Sequence, residues 1–372
     1  MTGSSISDMH RFPYRWRLSD GFPAEGMRYH GRKVLSCFSG GGGSSMGYKL
    51  AGYDVVGGVE IDGRMADCYE RNLKPRFLFR GDIRDLVAAE GLPEELSGLD
   101  VLDGSPPCTS FSTAGKRERD WGKEKKFREG QKRQVLDTLF FDFIALAGRL
   151  RPKVVVAENV TGMLKGRAVK YCARIQDTFR AEGYATDWII LNSDVMGVPQ
   201  SRGRLFFFGI RDDLFHGVGK SGLLQAFPDL QGFLRFSERK IPYREVEDES
   251  KSSVEDFNLH KCFLPFLSLV KPGYFIGSIH PKGSFFGHVK IDPGRPISTV
   301  TAQVKSQQEH FHYGGERTVN THEYVLCSTF PLDYDFSGLD AKYVMGMSVP
   351  PVMMAQVALR VKERWLDGID GR

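Results

Sequence analysis

A short apolar run at residues 99–103 ends abruptly in the stretch Gly-Ser-Pro-Pro-Cys at 104–108. Such a run, bounded by turn signals, is typical of a buried strand. The two prolines fix φ and prevent the sheet, or a helix, from continuing. We therefore expect Cys108 at a stiff strand end, where an α/β sheet opens its ligand crevice. Taken alone, the pattern fits a half-buried structural cysteine as well as a functional thiol.

A glycine-rich loop at 39–45 lies between a predicted strand at 33–38 and a predicted helix at 46–51. Glycine lets the backbone approach a ligand closely, and the amides at a helix N-terminus attract an anionic group. The pattern predicts a cradle for a nucleoside or a dinucleotide. A flexible turn would have the same composition, so this alternative stays open at the level of sequence.

Acidic residues follow the next two predicted strands. Residues 54–59 lead into Glu60 and Asp62, and residues 77–79 lead into Asp82. In nucleotide-binding α/β folds, an acid about 20 residues beyond the glycines is placed to bind ribose hydroxyls. The alternatives are a helix N-cap for Asp62 and a surface turn for Asp82.

A long, net basic run at 116–133 follows the Pro-Pro-Cys stretch. It fits a solvated loop, and it fits equally a mobile loop that closes over a phosphate backbone. The apolar spacing that comes next predicts a helix ending at Leu150. A basic loop beside the expected crevice indicates an anionic substrate.

More charged residues lie next to two later strands. A β-branched strand at 154–157 stops at Glu158. Arg202 and Arg204 precede a strand at 205–210. Residues at i and i+2 share one face of an extended segment, so the two arginines point the same way. They are either edge charges or part of the same crevice.

The alternation of strands and helices over residues 31–211 predicts an α/β fold with a doubly wound, mostly parallel sheet. The alternation fades over 212–290, which we interpret as a second, smaller and irregular domain. Residues 291–372 regain order and complete the first domain. Residues 1–30 form an N-terminal extension, whose aromatic and arginine side chains fit a nucleic-acid contact, an arm packed on the body, or a frayed terminus.

Composition narrows the class of protein. Hydrophobic residues make up 41% of the 372 residues, which supports a substantial core, and the net charge of +5 allows an anionic partner without requiring one. We find no run near the ~20 apolar residues of a membrane span and no apolar signal segment. We therefore expect a cytoplasmic protein, or a nuclear one in a eukaryote. Six cysteines without C-x-x-C spacing favour reduced thiols, so no metal is expected.

Taken in order, these features resemble the cytosine-C5 DNA methyltransferases. The resemblance covers nearly the whole chain except 1–30 and 212–290, and it rests on short stretches in the order found in that family. The matching stretches are 38–43, 60–62, 81–84, 106–108 with Phe111 and Ser112, 158–160, 200–204, 295–300, 330–334 and 346–350.

The resemblance implies an S-adenosylmethionine-dependent methyltransferase with a Rossmann-like catalytic domain and a target-recognition domain at 212–290. Phe38 and the glycine loop would hold the methionine part of the cofactor, Glu60 the ribose hydroxyls, and Asp82 the adenine amino group. The expected cofactor-binding residues are Phe38, Gly40, Gly42, Gly43, Glu60, Ile61, Asp82, Ile83, Pro106, Ser348 and Val349. The expected DNA-binding residues are Ser112, Lys116, Arg117 and Gln200.

The implied chemistry requires these residue types. Cytosine C5 is a poor nucleophile until a thiolate, here Cys108, adds to C6. Addition is easier when a carboxylic acid, Glu158, protonates N3. An arginine would hold the base at O2, with Arg204 expected first and Arg202 close behind. The cytosine must also be flipped out of the duplex, which costs a few kcal/mol.

The resemblance leaves two other functions to be weighed. One is a tRNA cytosine-C5 methyltransferase on the same fold, although residues 212–290 contain no Cys-Phe-Thr signature. The other is a catalytically silent DNA-binding regulator, although the Cys and the Glu-Asn-Val stretch are intact. Ser105 stands where the family often has glycine, and Met347 where asparagine is usual. We expect a monomer that binds double-stranded DNA and no membrane, and the resemblance allows a cognate restriction endonuclease.

Overall fold

In the computed structural model, the residues that the structure describes are 10–107, 138–164, 168–215, 230–285, 287–302 and 309–370. Within them, seven strands form one sheet in the order β3-β2-β1-β4-β5-β8-β6. All neighbouring strands are parallel except at β8, which is antiparallel to both of its neighbours. The strands are β1 Lys33–Cys37, β2 Asp54–Glu60, β3 Phe77–Arg80, β4 Val101–Gly104, β5 Val154–Val160, β6 Tyr184–Asn192 and β8 Gly203–Arg211.

Two short strand pairs lie outside this sheet. Strand β7 pairs with β10, and β9 pairs with β11, both in parallel. They are β7 Gln200–Ser201, β9 Val289–Lys290, β10 Ile297–Ser298 and β11 His310–Phe311. The first pair joins the end of the sheet region to the segment that returns after residue 290.

The helices among the described residues cover both faces of the sheet. The α-helices are α1 Gly43–Leu50, α2 Gly63–Leu73, α3 Ile83–Ala88, α4 Leu139–Leu150, α5 Ala168–Ala181, α6 Leu230–Phe233, α7 Val254–Phe257, α8 Leu264–Leu267, α9 Thr321–Cys327, α10 Ala341–Met347, α11 Pro351–Val361 and α12 Asp367–Asp370. Local sequence starts several of them. The Asp62 carboxylate caps α2 by accepting the amides of Arg64 and Met65, and Asp82 caps α3 in the same way.

Each face of the sheet has its own apolar core. One core joins Val34, Val156 and Phe206 to α1 and α11. The other joins Leu35 and Val155 to α3, α4 and α5. The alternation of side chains along each strand sends neighbouring residues into different cores. The structure thus confirms the predicted doubly wound α/β class.

Two strands are longer than the sequence predicts, and the extra residues carry the charges of interest. We expected a strand to end before Glu158 and another to begin after Arg204. Instead, β5 runs through Glu158 to Val160, and β8 begins at Gly203, because the two strands pair antiparallel with Val160 opposite Arg204. Cross-strand hydrogen bonds thus hold both charged residues inside the sheet.

The described part of the N-terminal extension packs against the body of the protein. Phe12 and Trp16 are buried, and the Trp16 indole donates to the carbonyl of Thr329. The backbone amides of Leu18 and Ser19 donate to the Asp333 carboxylate. These contacts favour the packed arm among the three alternatives.

The region after residue 230 is irregular, with short helices and turns. Its first part packs on the main core through Leu234 and Tyr243. A separate small core contains Leu267, Val270, Ile276 and Phe311. Since β9 also pairs with β11, this small core spans the boundary that the sequence predicts at 290.

One run among the described residues, Ala341–Asp370, is long and apolar enough by composition to cross a membrane. However, 83% of its most apolar window is buried inside the protein, as in the core helix of a soluble protein. We therefore assign this run to the core, where α11 packs along α1.

Candidate active site

The turn after β4 is tied to the end of β5. The side-chain amide of Asn159 donates to the carbonyl of Pro106 at 2.9 Å. This bond fixes the Pro-Pro turn relative to the strand that carries Glu158. The next residue, Cys108, lies outside the described residues, as do Ser112, Lys116, Arg117 and the basic run at 116–133.

Glu158 and Arg204 form a buried ion pair at this sheet edge. Arg204 Nε lies 2.9 Å from Glu158 Oε1, and little of either side chain is exposed. Burial lowers the pKa of Arg204, whereas the neighbouring carboxylate opposes that shift. The Arg204 Nη1 atom also donates to the carbonyl of Gly203. These contacts hold the pair within the sheet at the end of β5.

Two other expected site residues lie in the interior and hold the returning segment. Arg202 donates to the carbonyls of Val300 and Gly346, and burial, together with the charge of Arg204, holds its pKa well below the usual value. Gln200 is 1% exposed. Its amide group donates to the carbonyl of Cys327 and accepts the amide of Val300. Both side chains are buried among the described residues, and both bond to the returning segment.

A cavity opens at the carboxyl ends of β1, β2 and β4. Ligand sites of α/β sheets lie at this edge. Its lining residues are Phe38, Gly40, Val59, Glu60, Ile61, Asp62, Met65, Gly81, Asp82, Ile83, Ser105, Pro107, Leu139, Tyr343 and Met347. The cavity thus brings together the expected Phe38, Gly40, Glu60, Ile61, Asp82 and Ile83.

Three carboxyl groups line this cavity, those of Glu60, Asp62 and Asp82. Backbone amides hold the first, and one arginine holds the last. Glu60 accepts the amides of Gly40 and Asp62, both at 2.8 Å, and burial raises its pKa against these bonds. Asp82 receives Arg84 Nε at 3.0 Å and Nη2 at 2.6 Å. Although burial opposes it, the Arg84 hydrogen bonds hold the pKa of Asp82 below its usual range.

The remaining expected cofactor residues support the cavity from behind. Gly42 has a φ of +80°, and a Cβ there would lie 2.5 Å from Leu73. A Cβ on Gly43 would lie 2.1 Å from the carbonyl oxygen of Val349. Ser348 donates to the carbonyl of Val344. Gly42, Gly43, Ser348 and Val349 therefore shape the loop by close packing, and Pro106 does so through its bond to Asn159.

Sequence reasoning missed several members of the site. Tyr343 and Met347 are one helical turn apart on α10 and together form one wall of the cavity. The matching stretch at 346–350 indicated that this segment returns to the site, but nothing in the sequence indicated that Tyr343 lines the cavity. The clamp of Arg84 on Asp82 could have been anticipated from the i, i+2 spacing after a strand end.

The cavity fits an S-adenosyl nucleoside. Its acidic residues can accept hydroxyl and amino groups, and Phe38, Ile61 and Ile83 offer apolar surface to a base. The left-handed backbone of Phe38 and Gly40, with φ of 54° and 51°, turns the loop away so that the space stays open. These residues therefore fit the cofactor that the sequence resemblance implies.

Comparisons with known proteins agree with this geometry. A family model described as C-5 cytosine-specific DNA methylase matches residues 32–363. Type II methyltransferase M.Sau96I of Staphylococcus aureus is 28% identical over 361 residues, covering 94% of this chain and 80% of the relative. Type II methyltransferase M1.HphI of Haemophilus parahaemolyticus is 26% identical over 344 residues, covering 87% and 85%. A solved structure of a Spodoptera frugiperda DNMT2 variant has a TM-score of 0.61 at 16% identity, covering 88% of this chain and 98% of that one, and it shows the shared fold.

Proposed function

Because this chain belongs to the C-5 cytosine-specific DNA methylase family, we propose that Cys108 and Glu158 form its catalytic pair. The chain is a DNA (cytosine-5-)-methyltransferase, and S-adenosylmethionine is its methyl donor. The observation that carries the pairing is the bond from Asn159 to Pro106. It anchors the turn that leads into Cys108 against the strand residue next to Glu158.

The thiolate of Cys108 adds to C6 of a flipped cytosine, and the S–C6 bond forms as the C5=C6 double bond is lost. The electron pair makes C5 nucleophilic. S-adenosylmethionine, when bound, supplies the methyl group that C5 takes up. Loss of the C5 proton to a base and cleavage of the S–C6 bond then restore the aromatic ring and the free thiolate.

Glu158 protonates cytosine N3 as the thiolate adds and takes the proton back when the thiolate leaves. Arg204 holds the carboxyl group through its Nε atom, which leaves Nη2 to donate to the base. Water exclusion strengthens both interactions, because both side chains are buried. Arg202, which we expected close to the base, instead stabilises the returning segment that closes the site.

We assign the cofactor-holding roles to the residues that line the cavity. Glu60 binds the ribose hydroxyls, and Asp82 accepts the adenine amino group while Arg84 fixes its orientation. Phe38 and Gly40 hold the methionine part. The apolar side chains of Tyr343 and Met347 close the opposite wall.

The irregular region contributes the DNA-reading surface. From residue 258 to 291 the chain has lysines but no aspartate or glutamate. Large apolar side chains are exposed on the same segment, including Leu269 at 72% and Tyr274 at 58%. Basic and aromatic side chains on one exposed surface are typical of nucleic-acid contacts. We propose that this segment, with Phe275, contacts double-stranded DNA.

The proposal extends to how the protein works in the cell. A monomer is sufficient, because the described catalytic groups and the cavity all come from one chain. We propose a cytoplasmic enzyme that acts either alone or beside a cognate restriction endonuclease. Bisulfite sequencing of DNA from cells that express the protein would give both the activity and the recognised site.

The covalent step has a direct test. A duplex carrying 5-fluorocytosine should form a denaturant-stable adduct with the wild-type protein and cofactor, because fluorine cannot leave as a proton does. Cys108→Ala should form none while it still binds the duplex, and the matched variant Cys172→Ala, at a buried cysteine of α5, should behave like the wild type. Label transferred only to tRNA, or an adduct in Cys108→Ala, would contradict the proposal.

A further inference from the structure

A second buried carboxyl group lies on the sheet face that carries Glu158. Asp103 is the third residue of β4 and is 1% exposed. On β5, Val156 lies opposite Asp103, and Glu158 follows two residues later. Because side chains alternate along a strand, Val156 and Glu158 share a face, and Asp103 occupies that face on the neighbouring strand. No step of the proposed mechanism uses this carboxyl group.

The hydrogen bonds of Asp103 leave half of its carboxyl group unsatisfied. The Ser36 hydroxyl donates to Oδ2 at 2.9 Å. Within the part of the chain that the structure describes, Oδ1 has no partner at good hydrogen-bond geometry, although the Ser44 and Tyr48 hydroxyls both face the group. A buried carboxylate that lacks hydrogen-bond partners lowers the stability of the folded protein. These contacts therefore favour a proton on either Asp103 or Glu158.

The surroundings of Asp103 act in the same direction. Burial raises the pKa of Asp103 to about 7, against the hydroxyl groups of Ser36, Ser44 and Tyr48, and the charge of Glu158 adds to the rise. The other titratable groups that face Asp103 are Cys37 of β1, Tyr48 of α1 and Tyr69 of α2. Burial raises the pKa of all three, so each is neutral near pH 7. The cations that face Glu158 are Arg204 and Arg202.

We propose that Asp103 is a positioning residue that acts through Glu158, and that the two carboxyl groups form a coupled pair that holds one proton. This inference rests on the proposed role of Glu158 as the acid at cytosine N3. Two negative charges that lie close together on a buried sheet face repel each other strongly. Ionisation of one carboxyl group therefore favours protonation of the other. A charged Asp103 therefore favours the donor form of Glu158 even beside Arg204.

The coupling has a signature in the pH dependence of the reaction. A general acid works only while it is protonated, so the rate falls as rising pH removes that proton. Asp103→Asn removes the neighbouring charge and nearly keeps the shape, so Glu158 gives up its proton at lower pH. The fall in the methylation rate at high pH, called here the alkaline limb, should therefore begin about one pH unit lower. At a fixed pH on that limb the rate should be about tenfold lower.

The experiment is single-turnover methylation of duplex DNA by the full chain, from about pH 6 to about pH 9. Asp100→Asn is the matched control. Asp100 is also a buried carboxylate, just before the same strand, but the Lys33 amide and the Lys153 ammonium group hold it at the opposite end. In this control the methylation rate should fall at the same pH as in the wild type. Both variants should bind the cofactor with wild-type affinity.

Each outcome separates the two claims. If the wild-type protein methylates no DNA, the proposed function itself is contradicted. An active wild type with the same alkaline limb in Asp103→Asn would overturn only the coupling, as would an equal shift in Asp100→Asn. Infrared spectroscopy gives a measurement without turnover. The C=O stretch of a protonated carboxyl group near neutral pH should weaken in Asp103→Asn and persist in Asp100→Asn, and no difference between them would also overturn the coupling.

Discussion

Arg204 stabilises the buried Glu158 carboxyl group by its charge, and its Nε contact fixes the orientation of that group. Arg204→Ala should lower the rate of methyl transfer by about 100-fold or more, because a preorganised cation near the reacting base is removed and a buried charge is left unpaired. Arg204→Lys should recover little, since lysine cannot reproduce the Nε contact. The measurement is single-turnover transfer of labelled methyl groups to DNA.

Arg211 provides the matched control for this change. It lies on the same strand, β8, but pairs with Asp213 at the other end. Arg211→Ala should leave the rate within about twofold of the wild type, since it touches neither Glu158 nor the cavity. Wild-type turnover in Arg204→Ala would contradict the assigned role.

His310 shows how context changes the behaviour of a residue type. The side chain is fully buried on β11, and its ring nitrogens bond to Ser298 and Tyr324. Burial, with the charges of Lys342 and His288, lowers the pKa of His310 to about 3. Local sequence could not reveal this, because the burial comes from elements distant in the chain.

The burial of His310 makes the free energy of unfolding depend on pH. The folded protein keeps His310 neutral, whereas the unfolded chain binds a proton below about pH 6.5. Its contribution is therefore complete above that pH and is lost as the pH falls towards 3. Between pH 6.5 and 5 the loss should be about 2 kcal/mol, and His310→Gln should remove that part of the slope. Urea unfolding at the two pH values measures this loss. In the control variant His322→Gln, at a partly exposed site, the free energy of unfolding should change with pH as it does in the wild type.

At the scale of elements, α1 and α11 approach closely at one glycine. A Cβ on Gly47 would lie 2.6 Å from Met354 Cβ and from the carbonyl oxygen of Pro351. Gly47→Ala should therefore lower the free energy of unfolding by about 1–3 kcal/mol, because the helices must separate. Thermal unfolding measures the change.

The control for this element is Gly63→Ala. Gly63 opens α2, and a Cβ there would meet nothing within 4 Å. Its free energy of unfolding should stay within about 0.5 kcal/mol of the wild type. Equal destabilisation by both variants would show that close packing of α1 on α11 is not the cause.

Sequence reasoning performed well for elements whose own residues contain the signal. The strands at β1 and β2, the glycine loop and the α2 cap were all visible, because apolar runs, glycines and capping acids act locally. It placed Glu158 and Arg204 beside strands rather than inside them. Only the antiparallel pairing of β5 with β8, between segments far apart in sequence, extends those strands through the charged residues.

Gln200 and Arg202 show the same limit at the site. Their motif was recognised, and the family resemblance implied that Gln200 contacts DNA and that Arg202 lies close to the base. Both side chains instead bond to backbone groups of the returning segment, such as Val300. The motif is therefore consistent with a role in joining the two parts of the catalytic domain, which no local pattern could show.

For the whole molecule, the salt dependence of DNA binding tests the proposed reading surface. Replacing the exposed Lys261, Lys271 and Lys282 with alanine should weaken binding to all duplexes. The slope of log affinity against log salt should fall by about 0.9 for each phosphate that the protein no longer neutralises. Fluorescence anisotropy at several salt concentrations measures it. Lys170→Ala, exposed on α5, should keep the slope, and an unchanged slope in the triple variant would exclude these lysines from phosphate binding.

The wall that Tyr343 and Met347 contribute has a consequence for biosynthesis. The ribosome makes Phe38 early and α10 late, so the cofactor cavity gains its last side only after nearly the whole chain has been translated. The nascent polypeptide thus carries its glycine loop and Cys108 well before it can enclose a methyl donor. Genome modification therefore begins only with chains translated through α10, and a prematurely terminated product is inert.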